Sequence, residues 1–484
     1  MRKLLICALA LGGFAASAQA ADLSVDSLKD PLPEKLSFGG VTVYGTVDVG
    51  YGYQDHGVPS SGSFYTGYNY VPNKYTAGQQ SAIMNNAMSQ SQVGVKVEES
   101  VGMGFVAVAK LDTGFNPISG ELADACKSLV QAGTQPAGHV AANSDGGRCG
   151  QFLNGNAYGG LSHSTYGTLT VGRQNAFMND GVGTYDPNHG SYAFSLIGFS
   201  GGAAAGIGAT ETSRWDNSVK YLYQFGPVHA GVMYANGGQD TAIFGNAVGG
   251  NVGATYKGLS IDGYYTKENG AVNAGTNSAN NGTLKGTITD NEAYSVMAKY
   301  TMDLGGGGFK DEPGAKLSFF GGYMHADVDA SNADQSTYAN WNTIGGYQLG
   351  AMSGIYYTST KTLQTEWAGA AYQTGPWTLT GAYYHQSQDY FGVALSGAAG
   401  ASLKGTSGVN CSNTSGTNCA GDINMGSFVV DYTFNKHFDV YAGVSVAQAA
   451  GGLASQGDSG TQGASKGFVQ DATTSVVTGL RLKF

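Results

Sequence analysis

The residues able to carry acid–base, nucleophilic or metal chemistry are scattered. The eight histidines, His56, His139, His163, His189, His229, His325, His385 and His437, share no spacing, and no H-E-x-x-H, G-x-S-x-G or paired C-x-x-C pattern occurs. Neither a helix-borne zinc pair nor a nucleophile turn is therefore encoded locally. The tetraglycine Gly305–Gly308 precedes no helical pattern, which makes a phosphate cradle a weak reading. A site assembled from distant loops is the one enzymatic reading left, and catalysis is not expected. Nor is any metal or cofactor.

Two other patterns stand out. Beyond Cys7, the cysteines form two close pairs, Cys126 with Cys149 and Cys411 with Cys419. In an exported chain each pair reads as a loop-closing disulfide; zinc competes, but no histidine lies at ligand spacing from either. The stretch from Gln174 to Asp216 carries the acids Asp180, Asp186, Glu211 and Asp216, no lysine, and an apolar patch of Phe194, Leu196, Ile197 and Phe199. Its Gly201–Gly206 run suits a flexible external loop, whereas the apolar patch is awkward in water.

The elements that must position these residues begin with an export signal. Arg2 and Lys3, an apolar run from Leu4, and small residues ending Ala18-Gln19-Ala20 mark residues 1–20 as a signal peptide. The mature chain is expected to start at Ala21, with 21–40 as an N-terminal extension and 41–484 as one domain. No apolar run reaches the roughly 18 residues of a membrane helix, so any crossing must be made by strands. Charged residues are 12% of the chain, against about 25% in soluble proteins. With 78 Gly, 30 Tyr and 20 Phe, the composition suits a barrel with an apolar belt and aromatic girdles. A secreted Gly-rich β-sandwich or adhesin is the competing class. The net charge of −10, more negative once Arg2 and Lys3 are removed, argues against nucleic acid.

From Val41 onward, segments of about ten residues alternate apolar and polar side chains, the period of a half-buried strand. They start near residues 41, 92, 104, 156, 168, 217, 229, 251, 259, 292, 315, 363, 377, 427, 438 and 474. Sixteen is an even number, as a closed up-and-down barrel requires. The gaps alternate as well. Short ones, such as Gly226-Pro227 and Lys257-Gly258, read as tight turns, while the long ones span 54–90, 114–155, 174–216, 236–250, 268–291, 327–362, 388–426 and 447–472. An outer-membrane barrel has this asymmetry, with periplasmic turns and external loops. The last segment puts Val476, Thr478, Leu480, Leu482 and Phe484 on one face and Arg481 and Lys483 on the other. Such a strand needs neighbours on both edges, which closure on the first strand supplies.

Five stretches carry a family likeness: VTVYGTVDVGYGY at 41–53, SQVGVKVEESVGMGF with AVAKLDTGFNP at 91–117, AYGGLSHSTYGTLTVGRQNAF at 157–177, RWDNSVKYLYQFGPVHAGVMY at 214–234, and the terminal GLRLKF. In these the chain resembles the general diffusion porins of Gram-negative bacteria, the sixteen-stranded trimeric type of proteobacteria. The resemblance implies an all-β transmembrane barrel whose third long loop, here 174–216, folds into the pore. Asp180, Asp186 and Glu211 then become constriction acids, facing Lys96, Lys110, Lys220 and Arg173 on the wall. Two wall positions that often hold arginine in the family correspond to Gln92 and Gly155, so the cationic half is expected to be weak. Phe484 matches the terminal aromatic residue that serves the family as an assembly signal.

By strand phase, Asp48, Glu98, Asp112, Asp262, Glu366, Asp431 and Asp439 point inward, with the aromatics Tyr44, Phe320, Tyr384 and Tyr441; Gly369 and Ala371 point outward, where small residues let subunits approach. An acidic lumen concentrates cations. The expectation is an outer-membrane porin passing ions and small hydrophilic solutes, weakly cation-preferring, embedded in lipid and homotrimeric. A substrate-selective channel on the same barrel and a structural or adhesive surface protein are the alternatives.

Overall fold

In the computed structural model the alternating segments become sixteen antiparallel strands that close on themselves. The structure describes residues 36–55, 79–124, 126–127, 130, 149–198, 213–237, 246–276, 283–305, 314–330, 343–344, 346–357, 360–389, 393–396, 402–403, 420–451 and 471–484. In chain order the barrel strands are β1 (Val41–Gln54), β2 (Gln92–Gly102), β3 (Phe105–Gly114), β4 (Ala157–His163), β5 (Gly167–Asn175), β6 (Arg214–Phe225), β7 (Val228–Ala235) and β8 (Ala247–Tyr256). They continue as β9 (Leu259–Thr276), β10 (Leu284–Asp303), β11 (Lys316–Ala330), β12 (Lys361–Thr374), β13 (Trp377–Gln388), β14 (Gly421–Asn435), β15 (Phe438–Gly451) and β16 (Asp471–Lys483). Each pairs with the next, and β16 returns to β1 in a register running from Thr46 opposite Lys483 to Gln54 opposite Ser475. Phe484 extends that seam, its carbonyl accepting from the Gly45 N–H at 2.9 Å and its own N–H donating to the Gly45 carbonyl at 3.1 Å.

The wall shows the expected two-residue period. Val171, Val232, Val252 and Val296 stand exposed on the outer face, while Met233, Met297 and Met324 are buried inside. Tight turns close one end, among them those at Gly226 and Gly258, which take the positive φ that a side chain disfavours. Along that end runs an outward aromatic row, with ring centroids 4.6 Å apart for Trp377 and Tyr432, 4.8 Å for Tyr432 and Phe434, and 5.4 Å for Phe434 and Phe438.

Three features depart from the sequence reading. First, the polar stretch before Gln90 contains the strand Gln80–Asn85, paired with Val49–Gln54, so the second wall strand is in two pieces. The residues between them turn inward around Asp48. Second, the loops at 268–291, 327–362 and 388–426 contain further strands: β9 and β10 continue past a register shift at Glu268/Ala271, Leu284–Ile288 runs parallel to Leu349–Gly354, and Ile355–Tyr357 pairs with Val393–Leu395. Broken by Gly, Asn and Thr, as in NAGT at 273–276 and LKGT at 284–287, these stretches offer no run of alternation long enough to read as strands. Third, the phase of β12 is inverted. Leu363, Thr365 and Trp367 are buried in the lumen and Glu366 is exposed on the outer wall. Gly369 also faces inward, since a Cβ there would lie 2.5 Å from Cγ of Pro187, and Ala371 shares its face. The inner face of β12 is apolar because a loop covers it.

Candidate functional site

That loop follows β5. Its first turn is the helix α1 (Phe177–Tyr185), which buries Phe177, Met178, Gly181, Val182 and Tyr185 on one face. With two glycines and no side-chain cap at Ala176, the segment has little intrinsic reason to be helical. Packing supplies it, since each fully buried large apolar side chain contributes about 1.5–3 kcal/mol. The helix and the following Leu196 and Ile197 join one apolar cluster with Met233, Tyr264, Met297, Met324, Trp367 and Met425 from the inner wall. Phe194 is likewise buried, so the apolar patch is covered inside the barrel; Phe199 lies outside the described residues.

Polar contacts fix the loop at three places. Tyr185 donates to Asp262, which also meets His229 Nε2 at 2.6 Å and Asn251 Nδ2 at 3.1 Å, while Trp367 Nε1 donates to the Tyr185 carbonyl at 3.1 Å. Beyond the helix, Asp186 is fully buried. It accepts from the Tyr384 hydroxyl at 2.6 Å and the Gly190 N–H at 2.7 Å, and Asn188 Nδ2 reaches the Tyr384 hydroxyl and Ser427 Oγ, both at 3.0 Å. Burial raises the Asp186 carboxyl above the usual carboxylate range, against the pull of those donors. At the tip, the Ser191 hydroxyl and the Ala193 N–H both donate to the Ala87 carbonyl, at 2.8 and 3.0 Å. Ala87 belongs to the inward turn whose Met88 and Ser89 N–H groups grip Asp48 Oδ2 at 2.9 and 2.8 Å, with the Tyr441 hydroxyl on Oδ1 at 2.6 Å.

The expected site residues therefore separate into two sets. Asp48, Asp186 and Asp262 hold the loop. Asp180 stays 45% exposed and pairs with Lys220 at 2.6 Å; the Lys220 ammonium also donates to the Asn175 carbonyl at 3.0 Å and lies 4.3 Å from the centre of the Phe177 ring. A wall base and a loop acid thus meet directly and tie the start of α1 to β6. Arg173 is buried and spent on Asp216, at 2.7 Å, and on the carbonyls of Gly155 and Asn154, both at 2.9 Å. It braces the loop's entry. Glu211, Cys411 and Cys419 lie outside the described residues, whereas Cys126 and Cys149 are joined in a disulfide within the loop between β3 and β4.

The wall that α1 leaves uncovered belongs to β1–β4 and carries a compact charged group. Lys96 and Lys110 lie directly opposite each other. Each has its own acid, Glu98 at 2.8 Å and Asp112 at 3.5 Å respectively. Asp112 further accepts from the Tyr44 hydroxyl at 2.9 Å and from the Asn156 N–H at 2.7 Å. A side chain at Gly155 would run into Asp112, which explains the missing arginine there. The charge of Arg214 acts on Asp112 and Tyr44, and that of Asp180 on Tyr158. Arg214 was hidden from sequence reasoning because the strand β6 starts earlier than its alternation suggests. Trp215 beside it is fully buried and donates to Glu268 at 2.6 Å. At the tight-turn mouth, Arg481 binds Asp439 at 2.7 Å and Asp431 at 2.5 Å, and Lys483 binds Asp439 at 2.6 Å.

A closed sixteen-stranded barrel, apolar outside and narrowed from within by a docked loop with a charged wall opposite, points to an outer-membrane channel rather than to an enzyme. The Gram-negative porin family model matches residues 7–452, and the chain belongs to that family, whose place is the outer membrane. An outer membrane porin protein of Bordetella pertussis is 26% identical over 232 residues, 47% of each chain; the match spans about half the length of that relative. Among solved structures, the fold is similar to the anion-selective porin from Comamonas acidovorans, with a TM-score of 0.54, 15% identity, and 92% of this chain and 99% of that one covered. It is also similar to OmpT of Vibrio cholerae in its trimer form, with a TM-score of 0.52, 14% identity, and 93% and 100% coverage. Among the described residues, no group of three or more His, Cys, Asp or Glu is placed to hold a metal ion.

Proposed function

We propose that this chain, after loss of residues 1–20, forms a water-filled channel through which ions and small hydrophilic solutes diffuse passively, as a homotrimer with weak cation preference. The observation carrying this reading is the third loop docked along the inner wall, leaving the Lys96, Lys110 and Asp112 group of β1–β4 across from Asp180. Sixteen strands are wide enough for an aqueous channel, and selectivity falls to whatever lines its narrow part. Most lumenal bases there already have a carboxylate at contact distance, as with Lys96, Lys110 and Lys220. Asp48 and Asp186 are held by hydroxyl and amide donors instead. The small surplus of acid supports a weak field favouring cations. The name of the Comamonas neighbour points to the opposite sign, but at 15% identity it carries only the fold.

The inward aromatics favour non-specific diffusion over a solute-binding channel. Tyr384 and Tyr441 hold Asp186 and Asp48, and Phe320 is buried under Lys299 and His189. Only Tyr44 belongs to the open wall group. Planar-bilayer recording tests the proposal. Stepwise conductance in groups of three is expected, with a small cation-side reversal potential in a salt gradient. Clear anion preference, or saturable block by one solute class, would overturn the corresponding part.

A further inference from the structure

At the long-loop end of the barrel the loops are tied to one another. β9 and β10 run on as a hairpin beyond the top of β11, whose last residue, Ala330, lies opposite Thr289. The register shift between Glu268 and Ala271 lets that hairpin bend away from the line of the wall. Tyr347–Tyr357, from the loop between β11 and β12, lies along it as a third strand, through the parallel pairing of Leu284–Ile288 with Leu349–Gly354. Leu284, at the upper end of this flap, is fully buried, so the flap does not stand alone in water.

Its upper end meets the far side of the mouth. The Tyr347 hydroxyl donates to Asp124 Oδ2 at 2.6 Å, and Asp124 belongs to the loop between β3 and β4. In a ring of sixteen strands the β3–β4 and β11–β12 connections are diametrically opposed. Strands about 4.8 Å apart and tilted about 40° close, at this number, into a ring about 32 Å across, and the 11 residues of Tyr347–Tyr357 extend about 33 Å. One strand is therefore long enough to carry a contact across the lumen. The receiving end is firmly held. Asp124 is buried and its Oδ1 accepts from the Lys127 N–H at 3.0 Å, while the Cys126–Cys149 disulfide closes the same loop. Ala123 beside it packs in one apolar cluster with Tyr192, Ala193 and Phe194 of the docked third loop. Burial and the Asp124 carboxylate push the Tyr347 phenol above its usual value, so it remains a donor in neutral and mildly alkaline water.

Two narrow places thus stand in series, the docked third loop and, outside it, the span from Tyr347 to Asp124. We propose that this span is a second selectivity element, a size filter at the outer mouth that turns away bulky hydrophilic solutes before they reach the third loop and lets ions pass beside it. The filter presupposes the channel proposed above.

The full-length protein is inserted in one direction into a planar bilayer, and poly(ethylene glycol)s of graded size are added to one side at a time; a polymer that enters lowers the conductance. In the native protein the largest polymer that enters from the long-loop side is expected to be smaller than the largest that enters from the tight-turn side. Tyr347→Phe removes only the hydroxyl. Losing a hydrogen bond to a carboxylate raises the unlatched population about tenfold, so the excluded polymer should enter from the long-loop side about ten times more often, with conductance in salt alone unchanged. Cys126→Ser with Cys149→Ser, which loosens the receiving loop, should act in the same direction, and Tyr347→Phe should add little to it. Equal cut-offs from the two sides of the native channel, or native asymmetry in Tyr347→Phe, would overturn the filter. So would conversion of Tyr347→Phe to monomers, which would make the contact a brace between subunits. A native protein without conductance would instead sink the channel reading and the filter with it, whereas the other outcomes leave the channel standing.

Discussion

Lys220 is the residue at which field and architecture meet. Its side chain is 7% exposed, and it neutralises Asp180 while holding the first turn of α1. Replacing it with methionine keeps the apolar contact with Phe177 and releases one lumenal carboxylate from its partner. Lys220→Met is therefore expected to move the reversal potential further to the cation side and to raise the rate of current fluctuations. An unchanged reversal potential would show that this pair lies off the ion path. Which side chains enter the lumen was legible in most strands, as Tyr44, Lys96, Lys110 and Asp112 show. What each does there was not, because a lone inward lysine or arginine reads the same whether it meets water, as at Lys96, or is buried in carbonyls, as at Arg173. Glu366 was misplaced by its strand phase, which is inverted in β12, so that its carboxylate lies on the outer wall.

At the scale of elements, the third loop was legible from the family resemblance together with its apolar patch, since Phe194, Leu196 and Ile197 need cover that an external loop lacks. Its anchors were not, because they depend on contacts such as Tyr384 with Asp186, 198 residues apart. That anchor makes docking sensitive to acid. The buried Asp186 carboxyl is raised, so it binds a proton more readily with the loop docked than undocked. Docking should then strengthen as pH falls from about neutral through that raised value, with no further gain below the ordinary carboxylate range. As pH falls through that raised value, spontaneous closures of the native channel should become rarer. Asp186→Asn should flatten that part of the dependence, and equal slopes in the two proteins would remove Asp186 from the account. The inverted alternation of β12 has the same origin. Beneath a docked loop the lumenal face is a packed core, and the rule of polar inside and apolar outside holds only where water fills the barrel.

For the whole molecule, strand number, loop asymmetry and closure were readable because membrane and lumen impose opposite preferences on alternate residues. The interrupted second strand and the pairings among the long loops were not, since neither the inward turn around Asp48 nor a short strand broken by glycines bears that imprint. Closure also gives the last residue a measurable role. The Phe484 ring lies over Gly45, where a Cβ would collide with it, and the backbones of the two residues are doubly bonded. Deleting Phe484 is expected to lower the amount of folded barrel in the membrane while the conductance of each assembled channel stays the same. Gly45→Val should reproduce the loss with the chain end intact, and normal yields from both would separate assembly from the seam.

The seam has one more consequence, and it concerns time. Its side-chain contact between Gln54 and Ser475 joins positions 421 residues apart, so the wall closes only once all sixteen strands are in place. Until then the sheet keeps two raw edges and encloses nothing. A chain interrupted before β16 has no partner to give β1 and cannot become a hole in the membrane.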